Sequence, residues 1–231
     1  MRWVAAFLAA IMAALAAGPV AAQTDEQDRR SCIGAPDADL RVAGCTAVIQ
    51  AGRETGAALG FAYNNRGLAY DDKGEYDRAI EDFDQAIRLD PTVAETFNNR
   101  GVSRSHKGQF DRAIGDYDQA ITLDPGYAEA YSNRGSALGD KGQYDRAIRD
   151  FDRAIELQPD NAFAYNNRGV IYGETGRYDR AVEDFDAAIK LNPTYAEALN
   201  NRGIAKRKLG DTIGGNADIA KAKAMITNGA Q

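Results

Sequence analysis

The sequence predicts an all-α protein built as a solenoid of antiparallel helix pairs. The first observation is that four of its six prolines, at positions 91, 125, 159 and 193, are spaced 34 residues apart, and a fixed period of this length indicates a repeat array. The second observation is that each period contains two stretches with apolar residues three and four positions apart, the spacing of one helical face. Short connections between such helices favour antiparallel neighbours.

Composition limits the classes of function. The 231 residues are 44% hydrophobic and 27% charged, with a mean hydropathy of −0.48 and a net charge of −6, the proportions of a soluble globular chain. A pI near 5.0 argues against a nucleic-acid partner, because such binding depends on a basic field. One His and two Cys leave little from which to build a zinc site or a catalytic triad. We therefore expect no cofactor and no metal site, and an enzyme is the least supported class.

Residues 1–22 have the pattern of a secretory signal peptide. Arg2 precedes the uncharged apolar run Trp3–Ala17, and small residues stand before Gln23, where cleavage is expected. The alternative is an uncleaved anchor, but the run has about 15 residues and a membrane-spanning helix needs about 20. The sequence therefore predicts an exported protein, periplasmic or secreted, with no stable membrane insertion after cleavage.

The segment between the signal and the repeats contains both cysteines. We expect an irregular lead-in at 23–36 and a degenerate N-terminal half-repeat at 37–59, whose residues 37–51 form a lone second helix. Cys32 and Cys45 are the only pair, and an oxidising compartment favours a disulfide between two such thiols. The alternative is that Cys45 is a buried free thiol on the apolar face of that helix.

The repeats occupy the rest of the chain. Each opens with Asn-Asn-Arg-Gly or Ser-Asn-Arg-Gly on a first helix, which ends near a glycine that suits a left-handed C-cap. A second helix follows, and proline closes the unit in the first four repeats. The fifth unit is degenerate and ends in a C-terminal capping helix. The units are 60–93, 94–127, 128–161, 162–195 and 196–231.

Numbered within the unit, these positions resemble the tetratricopeptide repeat (TPR) family. Repeat 3 shows the pattern: a large residue at position 4 (Tyr131), glycine at 8 (Gly135), small residues at 20 and 27 (Ala147, Ala154) and an aromatic residue at 24 (Phe151). The resemblance implies a right-handed superhelical solenoid whose first helices line a concave groove. It also implies a non-catalytic protein- or peptide-binding scaffold.

One position departs from the family. Position 7, usually leucine, is arginine in every unit, beginning with Arg66. A partly buried guanidinium needs partners, and acids such as Asp82 and Asp84 flank the aromatic residue of each second helix. Adjacent helical side chains point about 100° apart, so these acid pairs are not expected to converge on calcium or to form a pair of catalytic acids.

Position 6 is the most informative one for function, because it is asparagine in all five units although asparagine is a poor helix former. Positions 2, 6, 9 and 13 share one helical face, which the family resemblance places in the groove. An amide offers donors and an acceptor to an extended peptide. The alternative is that these amides bond across the helix stack and hold the repeats together. The asparagines are Asn65, Asn99, Asn133, Asn167 and Asn201.

The rest of the predicted groove mixes apolar and acidic residues. We therefore expect a partner protein or an extended segment with basic and apolar side chains, bound in the cell envelope. The alternative function is a structural component that self-associates through its ends or its convex face. The lining residues are Leu68, Val102, Val170, Phe163, Glu95 and Glu129.

Overall fold

The computed structural model describes the backbone of residues 18–229 and the side chains of residues 25–227. These residues form twelve α-helices, with no strand among them, so the predicted all-α fold is confirmed. The chain divides into two compact units between Lys107 and Gly108, and each unit is described by itself.

The helices are joined by short turns in both units. The first unit contains α1 (Gly18–Gly34), α2 (Ala38–Ala51), α3 (Gly56–Asp72), α4 (Tyr76–Leu89) and α5 (Ala94–His106). The second unit contains α6 (Phe110–Leu123), α7 (Ala128–Asp140), α8 (Tyr144–Leu157), α9 (Ala162–Glu174), α10 (Tyr178–Leu191), α11 (Ala196–Lys208) and α12 (Thr212–Gly229).

Close packing within a helix pair depends on glycine at position 8. A Cβ atom on Gly135 would lie 3.0 Å from the Phe151 ring, and one on Gly169 would lie 2.8 Å from the Phe185 ring. The missing side chain lets the first helix approach the aromatic residue of the second, which is buried in both pairs. This is the complementary packing of small and large side chains expected in a close-packed core.

The turn inside a pair requires a second glycine. Gly142 has φ 71°, a left-handed conformation that L-residues with a Cβ adopt at a cost. Its N–H donates to the carbonyl of Gly139 at 2.8 Å, and the next N–H, of Gln143, donates to Leu138 at 2.8 Å. These bonds satisfy carbonyls that the end of α7 leaves without helical partners.

The N-terminal segment differs from the prediction. The lead-in at 23–36 was expected to be irregular, but α1 is helical to Gly34 and packs on α2. The second helix at 37–51 is therefore not alone, because α1 covers the face that a half-repeat would expose to water. Residues 1–17 of the predicted signal peptide lie outside the described residues. Among the described helices, none is long and apolar enough to cross a bilayer.

The helix pair α1–α2 is joined by the predicted disulfide. Cys32 and Cys45 have an S–S distance of 2.07 Å, and both residues are buried. The helices approach closely because α2 carries Gly44 there, where a Cβ would lie 2.7 Å from the backbone oxygen of Asp28. Pairs such as α7–α8 and α9–α10 pack a glycine against an aromatic ring. The α1–α2 pair instead combines a glycine with a disulfide.

Two equivalent ion pairs show which position the α1–α2 pair occupies relative to the repeats. Lys73 donates to Asp39 of α2 at 2.5 Å, and Lys107 donates in the same way to Asp77 of α4. Asp39 and Asp77 are 38 residues apart rather than 34, and α3 is four residues longer than α5. The α1–α2 pair is therefore a sixth helix pair, displaced in sequence by one extra helical turn.

Candidate functional site

The asparagines at position 6 connect neighbouring first helices. In the first unit, Nδ2 of Asn99 donates to Oδ1 of Asn64 at 3.2 Å. In the second unit, Nδ2 of Asn201 donates to Oδ1 of Asn166 at 3.3 Å. The acceptors occupy position 5 and are buried. These contacts correspond to the alternative in which the amides hold the repeats together.

Each position-6 amide nevertheless keeps part of its surface in solvent. Asn65, Asn99, Asn133, Asn167 and Asn201 are all half-buried, and a side-chain amide has two N–H donors and an acceptor oxygen. A single bond to the preceding repeat therefore leaves hydrogen-bonding capacity on Asn99 and Asn201. Sequence reasoning missed the position-5 asparagines, Asn64 and Asn166, although their recurrence beside position 6 is visible in the repeated Asn-Asn pair.

The row of amides is interrupted at Ser132, which occupies position 5 of repeat 3. Its side chain is 1% exposed, and its Oγ has no hydrogen-bond partner. Asn167, in the next repeat, donates instead to Oγ of Ser136 at 3.3 Å. The shorter serine side chain thus removes the acceptor that asparagine provides elsewhere.

We expect Ser132→Asn to raise the free energy of unfolding by about 1 kcal/mol, the net contribution of one hydrogen bond. The new amide oxygen would accept from Asn167, as Asn166 accepts from Asn201. Urea unfolding of the variant and the wild type measures the difference. Ser136→Ala is the matched control and should lower stability, because it removes the present acceptor. A less stable Ser132→Asn protein would show that the site has no room for the amide.

Arginine at position 7 joins two second helices, and we call this arrangement the arginine bridge. Nε and Nη2 of Arg134 donate to Asp150 of the same repeat at 2.8 and 2.7 Å, and Nη1 donates to Asp118 of the preceding repeat at 2.6 Å. Two further bridges in the second unit join Arg168 to Asp184 and Asp152, and Arg202 to Asp218 and Asp186. The expected acidic partners of the position-7 guanidinium are thus confirmed.

In the first unit Arg66 holds Asp82 with two bonds, and Thr46 of α2 takes the place of the second acid at 3.1 Å. Asp82 is 5% exposed, although its spacing from Arg78 suggests an exposed ion pair along one helix. Arg78 bonds Glu75 and Tyr70 instead. The aspartates of the Asp-aromatic-Asp triplets therefore bond arginines on first helices.

Burial and charge act in opposite directions on the aspartates of the bridges. Burial raises the pKa of the Asp184 carboxyl, and the hydrogen bonds from Arg168 oppose this effect. At Asp218 burial also raises the pKa, but hydrogen bonds from Arg202 and Lys206 outweigh it, so the pKa is lower than usual. Lys206 donates to Asp218 at 2.9 Å. The last bridge thus has an additional cation that favours the ionised carboxylate.

His106 has an ordinary structural environment at the end of α5. Its Nδ1 lies 3.5 Å from Oδ1 of Asp71, and its ring packs against Tyr76 with centroids 4.8 Å apart. The same Asp71 oxygen accepts from Ser103 at 2.5 Å, and Ser103 is fully buried. Among the described residues, no group of three or more His, Cys, Asp or Glu side chains is arranged to hold a metal ion.

The first helices of the second unit form a cavity between α9 and α11. Its volume is about 330 Å³. The apolar lining comes from Val170, Tyr178, Phe185, Ile204 and Ala205. Three polar side chains, those of Glu174, Asn201 and Lys208, also line it. The cavity brings together Val170 and Asn201, two of the predicted site residues.

The first unit has a smaller cavity beside α1 and α3. Its volume is about 250 Å³, and it is lined by the disulfide residue Cys32, by Ile33, Phe61 and Ala58, and by the ion pair of Arg29 with Glu54. Phe61 is 52% exposed and Ile33 is 64% exposed. Apolar side chains therefore remain accessible on this face.

The other predicted site residues lie outside both cavities. Phe163, Glu95 and Glu129 are exposed, and Leu68 and Val102 are half-buried. Leu68 packs against the cluster that contains Phe83, which explains its low exposure. The structure therefore places exposed apolar and acidic groups on the first helices, but it distributes the predicted residues over two units.

Known proteins share both the repeat and the fold. Family models described as tetratricopeptide repeat match residues 61–93, 132–196 and 171–212, and a model described as TPR repeat matches residues 106–142. No curated protein matches the chain. A crystal structure of MamA is 29% identical, with a TM-score of 0.62, and the match covers 71% of this chain and 96% of MamA.

Two further solved structures share the fold at lower identity. YrrB, described as a TPR protein with an unusual peptide-binding site, is 21% identical, with a TM-score of 0.60 over 80% of this chain and 93% of YrrB. A tetratricopeptide repeat protein from Parabacteroides merdae is 19% identical, with a TM-score of 0.72 over 88% of this chain and 80% of its own. The helix pairs, the glycine–aromatic packing and the family matches agree, and the chain belongs to the tetratricopeptide repeat family.

Proposed function

We propose that this protein is a non-catalytic scaffold that binds another protein or an extended peptide on the faces of its first helices. The large apolar side chains exposed on these helices, Phe61, Phe163 and Ile204, carry the proposal. The cavity between α9 and α11 adds apolar walls with three polar side chains, the usual composition of a ligand site. YrrB shows that a protein of this fold has a peptide-binding site.

The chemistry of the partner follows from the exposed residues. The first helices expose Phe61, Phe163 and Ile204 at 52%, 45% and 46%, together with the acids Glu95 and Glu129. An extended segment with apolar and basic side chains complements such a surface. The half-buried asparagines supply the amides that would bond its backbone.

We expect Phe163→Ala to weaken binding of the partner about tenfold, because an aromatic contact in an interface is typically worth 1–2 kcal/mol. Phe163 is already partly exposed, so the variant should fold normally. The partner would be captured from an envelope extract by the chain from Gln23 onward, and its affinity measured by calorimetry. Leu191→Ala is the matched control, because Leu191 is 41% exposed at the end of α10, a second helix. Equal affinities for the two variants would contradict binding at this face.

We also propose that the protein is exported, on the basis of the apolar run and the small residues before Gln23. N-terminal sequencing of the mature protein should begin at Gln23. Recovery of an intact Met1 from the envelope fraction would instead favour the uncleaved anchor.

Self-association is the second candidate, and the last helix pair supports it. Ile213 and Ile226 of α12 are 88% and 65% exposed, and Leu209 is 46% exposed. Light scattering of the wild type and of Ile213→Asp tests this candidate. An oligomer that the substitution dissociates would support association through this end.

A further inference from the structure

The cavity between α9 and α11 has charges of opposite sign at its rim. Glu174 ends α9, and Lys208 ends α11. Both side chains are exposed and line the cavity. Neither forms an ion pair with another described residue, so both charges are available to a ligand.

The charge at this position of the repeat changes sign from one first helix to another. Position 13 of the three first helices of the second unit is Asp140, Glu174 and Lys208. A chain that crosses these helices near their C-terminal ends meets two anions and then one cation. Lys208 is the only cation at this position in the five repeats, which carry Asp72, His106, Asp140 and Glu174 at the others.

The cavity is also open where a side chain would enter it. Gly173 lines it, and a Cβ on this glycine would have no atom within 4 Å. The walls beyond it are Phe185, which is 2% exposed, and Ala205, which is 3% exposed. A cavity of about 330 Å³ with these walls suits one aliphatic or aromatic side chain.

We infer that this cavity binds an apolar side chain of an extended segment that carries a cation on the Glu174 side and an anion on the Lys208 side. The inference rests on the proposed function, and it adds the identity and the order of the ligand's groups. Neighbouring helices pack about 8–10 Å apart, and an extended chain rises about 3.3 Å per residue. The cation and the anion are therefore about three residues apart, with the apolar anchor between them.

The anion has two possible sources, an acidic side chain or the carboxylate at the end of the partner chain. Both present oxygens to the ammonium group of Lys208. A single peptide series distinguishes them, because amidation removes the terminal charge and leaves side chains unchanged.

The test uses a fluorescent, acetylated and amidated peptide of sequence Ser-Ser-Lys-Leu-Ser-Glu-Ser-Ser, with affinity measured by anisotropy at low salt. We expect replacement of its Leu by Ser to weaken binding at least about tenfold, because the peptide loses the burial of its leucine side chain in the cavity. Replacement of its Glu by Gln should weaken binding about two- to fivefold, the value of an exposed ion pair.

A second peptide that ends in Lys-Leu-Ser, as free acid and as amide, tests the terminal carboxylate. Preference for the free acid by the same factor would assign the anion to a chain end.

Protein variants then locate the site. Gly173→Leu should fill the cavity and abolish the advantage of Leu over Ser in the peptide, while helix propensity favours leucine over glycine. Gly115→Leu is the matched control, because Gly115 is a helical glycine that, like Gly173, has open space where a Cβ would lie, and it lies on α6, a second helix. Lys208→Glu should reverse the charge preference, so that a peptide with Lys in place of Glu binds more tightly than the original.

Two results would overturn the inference. One is equal binding of the Leu and Ser peptides to the wild type, and the other is equal behaviour of Gly173→Leu and Gly115→Leu. These failures are distinct from failure of the proposed function, which depends on Phe163, outside the cavity. A partner whose binding Phe163→Ala weakens but Gly173→Leu and Lys208→Glu leave unchanged would refute this site and retain the proposed function.

Discussion

Replacement of Asp150 by alanine is expected to lower the free energy of unfolding by about 3 kcal/mol, the lower end of the range for breaking a buried ion pair. Asp150 is 7% exposed and accepts two hydrogen bonds from Arg134. These bonds raise the pKa of the Arg134 guanidinium, which means that the carboxylate stabilises the charged form. Its loss leaves a mostly buried cation with only the more exposed Asp118 as a partner. Urea unfolding followed by circular dichroism measures the change.

Asp118→Ala provides the matched control for this prediction. It removes one carboxylate from the same guanidinium and changes the net charge equally, but the Asp118 side chain is 52% exposed. An ion pair at such exposure contributes about 0.2–1 kcal/mol, so the two variants should differ severalfold in their effect. The combination of Arg134→Met with Asp150→Ala should recover part of the loss, because it removes the unpaired charge. Equal effects of the two single variants would show that burial does not determine the strength of the bridge.

The arginine bridges show how far sequence reasoning reached. A guanidinium at a normally apolar position demands acidic partners, and the repeat supplied candidates, so the pairing was predictable. Which of the two acids is buried and accepts two of the hydrogen bonds could not be predicted, because Asp150 and Asp118 occupy similar sequence contexts. In the structure Asp150 is buried against Arg134 of its own repeat, whereas Asp118 of the preceding repeat reaches the same guanidinium with its side chain 52% exposed.

The asparagines show where sequence reasoning was insufficient. Recurrence at position 6 indicates that an amide is required, but an amide bonds a ligand and a neighbouring helix with the same donors. Only the relative placement of neighbouring first helices shows Asn99 on Asn64 and Asn201 on Asn166. The binding face that we propose therefore depends more on the cavity residues Ile204, Gly173 and Lys208, which the predicted site did not include.

The N-terminal pair was hidden for a different reason. A search at a period of 34 cannot align α2 with α4, since their equivalent residues are 38 apart. The family's aromatic residue is also absent, because Cys45 stands where Phe83 stands in the next pair. The disulfide itself was predictable, since Cys32 and Cys45 are the only cysteines and the export that the N-terminal pattern predicts would favour their oxidation.

Removal of this disulfide is expected to lower the free energy of unfolding of the first unit by about 3 kcal/mol, the chain-entropy value for a loop of about 15 residues. The sequence separation is 13. Besides its packing on α2, α1 makes the ion pairs of Arg29 with Glu54 and of Asp25 with Arg53, and both arginines are largely exposed. The buried cluster around it is small, with Cys32, Cys45 and Ala62 buried and Val48 and Ile49 packed against them half-buried, and Ile33 is 64% exposed. The double variant Cys32→Ala, Cys45→Ala should therefore lose helix content from α1 before the repeats unfold.

Hydrogen exchange of the amides in α1, together with urea unfolding, separates local from global loss. The repeats of the second unit should be unaffected, because their packing depends on glycine, aromatic residues and arginine bridges rather than on α1. Dithiothreitol should lower the stability of the wild type to that of the double variant and should not change the variant. The cavity beside α1 should disappear in the same step, because Cys32 and Ile33 form one of its walls. If the α1 amides stay protected in the reduced protein, the prediction is wrong. The ion pair of Arg29 with Glu54 and the close contact at Gly44 would then be sufficient to hold this helix without the disulfide.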